Sequence, residues 1–164
     1  MPLSAIHLNV CDINCSIKKI LYEENKSPTA TLSIFEIEAI QESGPDDNVY
    51  GVAFRKVDWN NYYQFIISGD GYYKILKLKD NNWDYASSWK KPSAIHTGDA
   101  TNLTGVVCNG HKFSFYVNDI KVDDYTDTDD CFGSGTIGFI AGTEYSKGPV
   151  VVGFDNLKVW EIAK

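Results

Sequence analysis

The sequence predicts an all-β fold, a two-sheet antiparallel sandwich of the jelly-roll type. From Ala30 onward, short runs rich in Val, Ile, Thr, Tyr and Phe alternate with clusters of Gly, Asp, Asn, Ser and Pro. No segment has the apolar periodicity of a long helix. Short strands joined by hairpin turns, with one long connection over 79–102, fit two packed antiparallel sheets.

The predicted strands are separated by stretches with clear turn chemistry. Asn109-Gly110 is the strongest hairpin signal, because a tight two-residue turn needs positive φ at both positions. The strands before and after it should therefore pair. Before Ala30, the stretch AIHLNV is a candidate strand, and SIKKILYEEN after it is irregular or a single helical turn. The main strands are predicted at 30–42, 49–57, 62–68, 72–78, 103–110, 112–119, 135–142 and 150–162.

Strand alternation separates core side chains from surface side chains. The stretch NNYYQFIISGDGYYKI, residues 60–75, contains two tyrosine pairs, and neighbouring strand residues point to opposite faces. At most one ring of each pair can therefore contact a ligand. The register of the second pair stays open, because Ile75 and Leu76 are both apolar. We expect core positions at Val52, Phe54, Tyr63, Phe65 and Ile67, and outward positions at Tyr62, Gln64 and Ile66.

Length and charge limit the class of partner. The 164 residues suit a single domain, with residues 1–29 less regular and 30–162 forming the sandwich. The net charge of −7 without a Lys or Arg cluster argues against a nucleic acid. No apolar run is long enough for a membrane span, and the first residues lack a secretory signal pattern. We expect an extracellular or cell-surface location if the chain is an excised domain, and a cytoplasmic one if Met1 is native.

The cysteines do not form a zinc pattern, because only Cys11 and Cys15 lie close together in sequence. One or two disulfides involving these residues, Cys108 and Cys131 stay open. Cys108, inside the apolar run LTGVVCNG, is interpreted as a buried small hydrophobe.

Several local patterns occur together in one order along the chain. They are Gly-x-x-Phe-Arg at 51–55, Asn102 at a strand start, FYVN at 115–118, GTIG at 135–138 and FDN at 154–156. In this order the chain, from about 30 to 162, resembles the concanavalin A-like lectin/glucanase superfamily, and most closely its laminin-G-like and keto-disaccharide-hydrolase-like branch. The resemblance implies the sandwich fold. It leaves function open among glycan-binding modules, glycosidases and adhesion domains.

Glycosidase chemistry needs two carboxylates around the scissile bond. Alternation places Glu36, Glu38 and Glu42 on one strand face. The resemblance implies a Glu-x-Asp-x-Glu type of pattern for the glucanases, whereas here Glu36-Ile-Glu38 is followed by Ala-Ile. A solvated strand face is therefore the favoured interpretation. A glycoside hydrolase using Glu36 and Glu38 is kept as an alternative.

Sugar binding needs exposed rings and a few polar groups. The connection 79–99 carries Trp83, Tyr85 and Trp89, and the resemblance implies that Trp89 packs over the sandwich edge. Arg55 is expected on a sheet surface, where it pairs with Asp155 or Glu38 or bonds sugar hydroxyls. We predict a non-catalytic carbohydrate-binding module, part of a larger extracellular protein, that binds a glycan or cell-surface polysaccharide. The predicted contact residues are Arg55, Trp59, Tyr62, Gln64 and Trp83.

Two further interpretations stay open. An adhesion or assembly domain would bind a protein through its sheet surface with the same exposed aromatics. Calcium is the one cofactor that the sequence suggests, because DDYTDTDDCFG offers hard oxygen ligands at Asp127, Asp129 and Asp130. The spacing matches no EF-hand, so a solvated acidic turn is the simpler interpretation.

Overall fold

The computed structural model describes residues 15–17, 32–84, 86–129, 131–143 and 148–162, with the backbone alone for 15–17 and 161–162. All regular structure in these residues is β. No helix that could cross a membrane occurs among them. The strands are β1 (Cys15–Ile17), β2 (Leu32–Ser43), β3 (Asn48–Asp58), β4 (Asn61–Ile67), β5 (Tyr73–Lys79), β6 (Asn82–Asp84), β7 (Asn102–Asn109), β8 (Lys112–Val117), β9 (Ile120–Thr126), β10 (Thr136–Thr143) and β11 (Val151–Ile162).

The strands form two sheets that pack face to face. One sheet has six strands in the order β1-β11-β2-β7-β8-β9, and the other has five in the order β10-β3-β4-β5-β6. Pairing is antiparallel except between β1 and β11. Across the interface, the Phe139 and Phe154 ring centroids lie 4.8 Å apart and those of Phe65 and Phe115 lie 4.9 Å apart. The predicted all-β, two-sheet sandwich is confirmed.

The core between the sheets is unusually aromatic. The Phe54 ring lies 5.3 to 6.1 Å from the rings of Phe35, Tyr63, Phe113 and Phe115. Such offset and edge-to-face pairs stabilise a core beyond the burial of their area. The core positions expected from alternation are confirmed, because Val52, Phe54, Tyr63, Phe65 and Ile67 are all buried.

Three of the described strands were not predicted, β1, β6 and β9. The last two each follow a two-residue turn in which both residues have positive φ, Asp80-Asn81 and Asn118-Asp119. The expected unbroken connection over 79–102 therefore contains a short strand. The hairpin predicted at Asn109-Gly110 does form, but Asn109 pairs with Lys112 and the turn residues are Gly110 and His111. Of these two, Gly110 alone has positive φ.

The remaining expectations concern the first residues and the cysteines. The candidate strand AIHLNV lies outside the described residues, as do Cys11 and the side chain of Cys15. Ser16 and Ile17, expected in an irregular or helical stretch, instead lie in β1. Cys108 is 1% exposed and confirmed as a buried small side chain, and both Cys108 and Cys131 are free thiols.

Candidate functional site

The outer face of the five-stranded sheet carries a row of aromatic and apolar side chains. Tyr62 on β4 pairs with Leu78 on β5, and Leu78 pairs with Trp83 on β6. Directly paired residues share a face, and Tyr63 points to the core, so this row points outward. The Trp83 ring is 44% exposed and meets Tyr62 edge-on, with a centroid distance of 6.0 Å. We call this outer surface of β4, β5 and β6 the aromatic face.

The middle of the aromatic face is an apolar floor with one amide. Gln64 pairs with Leu76 on one side and with Ala53 on the other. Leu76 and the outward Ile66 are buried, whereas Gln64 is half-buried. An amide supplies both donor and acceptor groups. The floor therefore combines apolar contact area with a polar group that can orient a ligand.

The chain after β6 continues beside β5 and brings a second tryptophan to this face. Tyr73 and Lys90 exchange backbone hydrogen bonds of 2.9 and 3.1 Å, and the Ser87 hydroxyl accepts a 2.9 Å bond from the Ile75 amide. Trp89, next to Lys90, is 43% exposed, and the Lys74 ammonium lies 5.5 Å from its ring centroid. Trp89 was expected to pack over the sandwich edge, but its ring instead lines an open cleft.

That cleft lies where β2 leads into β3 and β4 turns into β5. Its volume is about 610 Å³, inside the range of roughly 300–1,000 Å³ common for small-ligand sites. Tyr72 is half-buried in its wall, and the Lys91 ammonium lies 4.9 Å from that ring. The register of the second tyrosine pair, left open by the sequence, is thus settled, with Tyr73 in the core and Tyr72 outward. The lining residues are Asp47, Asn48, Val49, Ser68, Asp70, Tyr72, Trp89 and Thr143.

Two buried amides hold the cleft in shape. The Asn48 amide donates to the Gln41 side-chain oxygen at 2.5 Å and to the Pro45 carbonyl at 2.6 Å, and its oxygen accepts from the Gly69 amide at 3.1 Å. Gln41 in turn donates to the Gly44 carbonyl at 2.9 Å and to Asp46 at 3.0 Å. Both loops of the cleft are therefore fixed by the same satisfied network, which makes the site preformed.

Arg55 does not lie on the aromatic face. Its φ of 47° falls in the left-handed region at a register shift of β3, so strand alternation fails there. The guanidinium turns inward, donates to the carbonyls of Gly110 at 2.7 Å and Phe132 at 2.8 Å, and covers the Phe113 ring at 4.9 Å. The expected ion pair with Asp155 or Glu38 is therefore wrong. Glu38 instead accepts a 2.9 Å bond from the Asn156 amide.

Trp59 lies in the turn between β3 and β4. Its ring is 54% exposed, and the Lys56 ammonium lies 3.6 Å from the ring centroid. The Asn81 amide donates to the Asn60 carbonyl at 3.2 Å, so this turn contacts the turn that leads into β6. The structure thus brings Tyr62, Gln64 and Trp83 onto one face and places Trp59 at its end. It separates Arg55 from them, and neither Trp89 nor Tyr72 was predicted as a contact residue.

The acidic segment suggested for calcium is partly taken up by internal contacts. Asp127 is 2% exposed and accepts from the Lys77 ammonium at 2.6 Å and the Tyr63 hydroxyl at 2.5 Å. Burial favours a higher pKa for Asp127, but these bonds and one from the Asp129 amide outweigh it and hold the pKa below its usual value. A cation at Asp127 would have to displace Lys77.

The remaining described residues of this segment form no cluster of metal ligands. Asp123 and Asp124, expected in the acidic loop, lie in β9. Asp130 lies outside the described residues, and among those that are described no cluster of three or more metal-binding side chains occurs. Calcium binding by Asp129 and Asp130 stays a prediction.

Glu36 and Glu38 lie on the other side of the molecule. They alternate with the buried Phe35, Ile37 and Ala39 along β2, so they face outward from the six-stranded sheet. Glu36 lines a shallow depression of about 230 Å³ beside Gly105 and Tyr116. The pair therefore shares no site with Tyr62 and Trp83.

Comparisons with known proteins identify solved structures with a similar fold. No protein-family model matches the chain, and no curated protein sequence gives a significant match. Among solved structures, carbohydrate binding module CBM66 from Bacillus subtilis superposes with a TM-score of 0.61 at 19% identity, covering 80% of this chain and 75% of that one. Sheep galectin-11, in complex with glycerol, gives a TM-score of 0.58 at 12% identity, covering 82% of this chain and 100% of that one.

A third similar structure belongs to a much longer chain. The GH43 protein BlXynB (K247S mutant) from Bacillus licheniformis superposes with a TM-score of 0.61 at 15% identity, over 80% of this chain but only 28% of that chain. The narrower resemblance to the laminin-G-like and keto-disaccharide-hydrolase-like branch stays a prediction. The chain has the concanavalin A-like jelly-roll fold that these structures share.

Proposed function

We propose that the chain is a non-catalytic carbohydrate-binding module whose ligand lies on the aromatic face. The observation that carries this proposal is the row formed by Tyr62, Leu78 and Trp83, with Gln64 beside it. The face is built on paired strands rather than on long loops, so its rings are held by the sheet.

The chemistry of the face suits a neutral sugar. One side of a sugar ring is lined by C–H groups, and it gains contact area against an exposed indole or phenol ring. The Gln64 amide offers both hydrogen-bond roles to hydroxyl groups that would otherwise lose water. Ring contacts thus supply affinity, and the amide supplies orientation.

The similar structures support carbohydrate binding as the type of function. One is a carbohydrate binding module and others are galectins. Their low identity carries over no individual residue and no particular sugar. The aromatic face of this chain is therefore the independent observation that ties the proposal to named side chains.

A glycan array, run with and without calcium, followed by titration calorimetry on the strongest hit, tests the proposal. We expect Trp83→Ala to weaken binding at least about tenfold, which corresponds to roughly 1.4 kcal/mol, and Trp83→Phe to retain most of the affinity. Trp160→Ala is the matched control, because Trp160 pairs with the outward Ile34 on the six-stranded sheet. An array without hits, or equal binding by wild type and Trp83→Ala, would refute the proposal.

Assembly with a second copy of the chain is the alternative favoured by a separate observation. In the described part of the chain β10 pairs with β3 alone, and its sequence TIGFIAGT contains no charged residue. An uncharged edge strand is a template for pairing with another chain. Light scattering after gel filtration tests it. A stable dimer together with an array that gives no hits would favour assembly over sugar binding.

A further inference from the structure

We propose that the cleft at Tyr72 and Trp89 is a second subsite of the same ligand, so that the chain binds an extended neutral oligosaccharide along β5 rather than a single terminal sugar. This inference rests on the proposed function, because it assigns the length and charge of the glycan. It uses residues that the row of Tyr62 and Trp83 does not include.

The two sets of rings lie at opposite ends of one continuous surface. Tyr72, Lys74, Leu76 and Leu78 occupy alternate positions, so they share the outer side of the sheet. Leu78 lies six positions after Tyr72, and at about 3.3 Å per position the two residues are about 20 Å apart. The distance between the ends exceeds one sugar ring and suits a short chain.

The surface between the two ends can accommodate an oligosaccharide lying along it. Ile66 and Leu76 form its buried floor, and Gln64 stands beside them. The stem of Lys74 reaches from the floor toward Trp89, with its ammonium 5.5 Å from the ring centroid. Among the described residues, which do not include Tyr85, no change of sheet and no core element interrupts the path from Trp83 to Trp89, because both flank the same strand, β5.

The cleft has the composition of a sugar subsite. Tyr72 and Trp89 offer ring area, and Asp70, Asn48 and Ser68 line the same cavity with polar groups. Ser68 donates its hydroxyl to Asp70, which fixes that carboxylate within the β4–β5 turn. Acceptor-rich carboxylates bond sugar hydroxyls well.

The charge of the protein selects the kind of chain. At the cleft, Asp47 and Asp70 are offset by Lys74 and Lys91 beside the Trp89 and Tyr72 rings, whereas the whole chain carries a net charge of −7. Like charges disfavour an anionic polymer such as one containing uronic acids. The predicted ligand is therefore a neutral oligosaccharide.

The loops of the cleft are also preorganised for binding. Gln41 and Asn48 are both buried and hold the β2–β3 loop against the β4–β5 turn. The Asp70 amide donates to the Asp46 carbonyl at 3.0 Å, and the Gly98 amide donates to the Gly69 carbonyl at 2.8 Å. Loops fixed in this way lose little entropy on binding, so their contacts contribute to affinity.

The test is titration calorimetry with xylo-, cello- and inulin-type fructo-oligosaccharides, each from disaccharide to hexasaccharide, and with polygalacturonic acid as the anionic probe. For the series that binds, we expect the hexasaccharide to bind at least about tenfold more tightly than the disaccharide. Trp89→Ala and Tyr72→Ala should remove most of this gain and weaken disaccharide binding much less. Trp89→Phe is the matched control that keeps a ring and should keep most of the gain.

The outcomes separate this inference from the proposed function. Trp83→Ala should weaken binding of every chain length, whereas Trp89→Ala should weaken binding of long chains far more than binding of disaccharides. Equal affinity for short and long chains, unchanged hexasaccharide binding by Trp89→Ala, or preferred binding of polygalacturonic acid would overturn the second subsite while the first stands. If wild type binds none of the sugars on the array or in these series, both proposals fall.

Discussion

The two sheets share one core but differ in the side chains that they present to the outside. On the five-stranded sheet the outward side chains include Tyr62, Trp83 and a buried apolar floor. On the six-stranded sheet they include Glu36, Glu38 and the ion pair between Lys121 and Asp124 at 2.6 Å. The first surface offers ring area to a ligand, and the second keeps charged groups in water.

The comparison shows where a functional site can arise in a sandwich. Inward residues of both sheets serve the same purpose, since Phe65 and Phe115 meet across the core. Outward residues of the two sheets do not pack against each other, so the binding properties of each outer face depend on its own side chains. An exposed ring that packs against another ring, as Trp83 does against Tyr62, marks the face that interacts.

The largest effect on both sheets is expected from removing the buried ion pair that links them. Lys77 on β5 bonds Asp127, which follows β9, and both are buried. We expect Asp127→Ala to lower the free energy of unfolding by about 3–5 kcal/mol, because it leaves the Lys77 charge buried without its partner. Urea denaturation measures this loss. The surface change Asp124→Ala is the control and should have little effect; an equal loss in both variants would contradict the assignment.

A smaller loss of unfolding free energy is expected from Arg55→Met. This variant tests whether Arg55 stabilises the fold or contacts the ligand. Arg55 donates to the Gly110 and Phe132 carbonyls, so its removal should lower the free energy of unfolding by about 2 kcal/mol. The glycan affinity of Arg55→Met should not change when calorimetry is done at a low temperature, where the variant is fully folded. Reduced affinity in a variant of wild-type stability would instead return Arg55 to the ligand site.

Acid titration perturbs the inter-sheet link by protonation. The pKa of Asp127 in the folded chain lies below its ordinary value of 3.8. Its contribution is therefore fully present above that value and is lost as the pH falls through the lower pKa of the folded state. The gap in unfolding free energy between wild type and Asp127→Asn should narrow over that range. A gap that stays constant with pH would show that the carboxylate charge contributes nothing.

The smallest effect is expected on the acidic face. Glu36→Gln and Glu38→Gln should leave glycan affinity unchanged, because both side chains face away from Trp83. Calorimetry with the ligand of the aromatic face measures this. Should any glycoside turnover be detected, these two variants also test the hydrolase alternative: loss of turnover would support it, and unchanged turnover would exclude these carboxylates.

Much of the fold follows from local pattern. Period-two alternation was enough to assign Tyr63 and Phe65 to the core, because a strand with one buried face has only one acceptable register. The strands β6 and β9 were not predicted because β6 has only three residues and β9 is interrupted by Lys121, Asp123 and Asp124. The signal that could have found them is the pair of adjacent Asn and Asp residues before each, at 80–81 and 118–119, since these residues accept positive φ.

The site was predictable only in part. Tyr62 and Gln64 were predicted from alternation and Trp83 from the tryptophan-rich connection 79–99, and the structure places all three on one face. The approach of Trp89 to Tyr72 depends on the segment after β6 pairing with β5 through Lys90, a contact that no local pattern encodes. Arg55 was misplaced because alternation assumes extended backbone, whereas its φ is left-handed.

The alternation along β4 also has a consequence for how such a protein can change. Tyr62 and Gln64 point to the ligand side, while Tyr63 and Phe65, their immediate neighbours, fill the core. Mutations at the outward positions can therefore alter ligand preference while the residues that determine folding stay constant. The five-stranded sheet is in this respect a display scaffold, and a library confined to its outward positions that are not buried, such as Tyr62, Gln64 and Trp83, would sample new specificities at nearly constant stability.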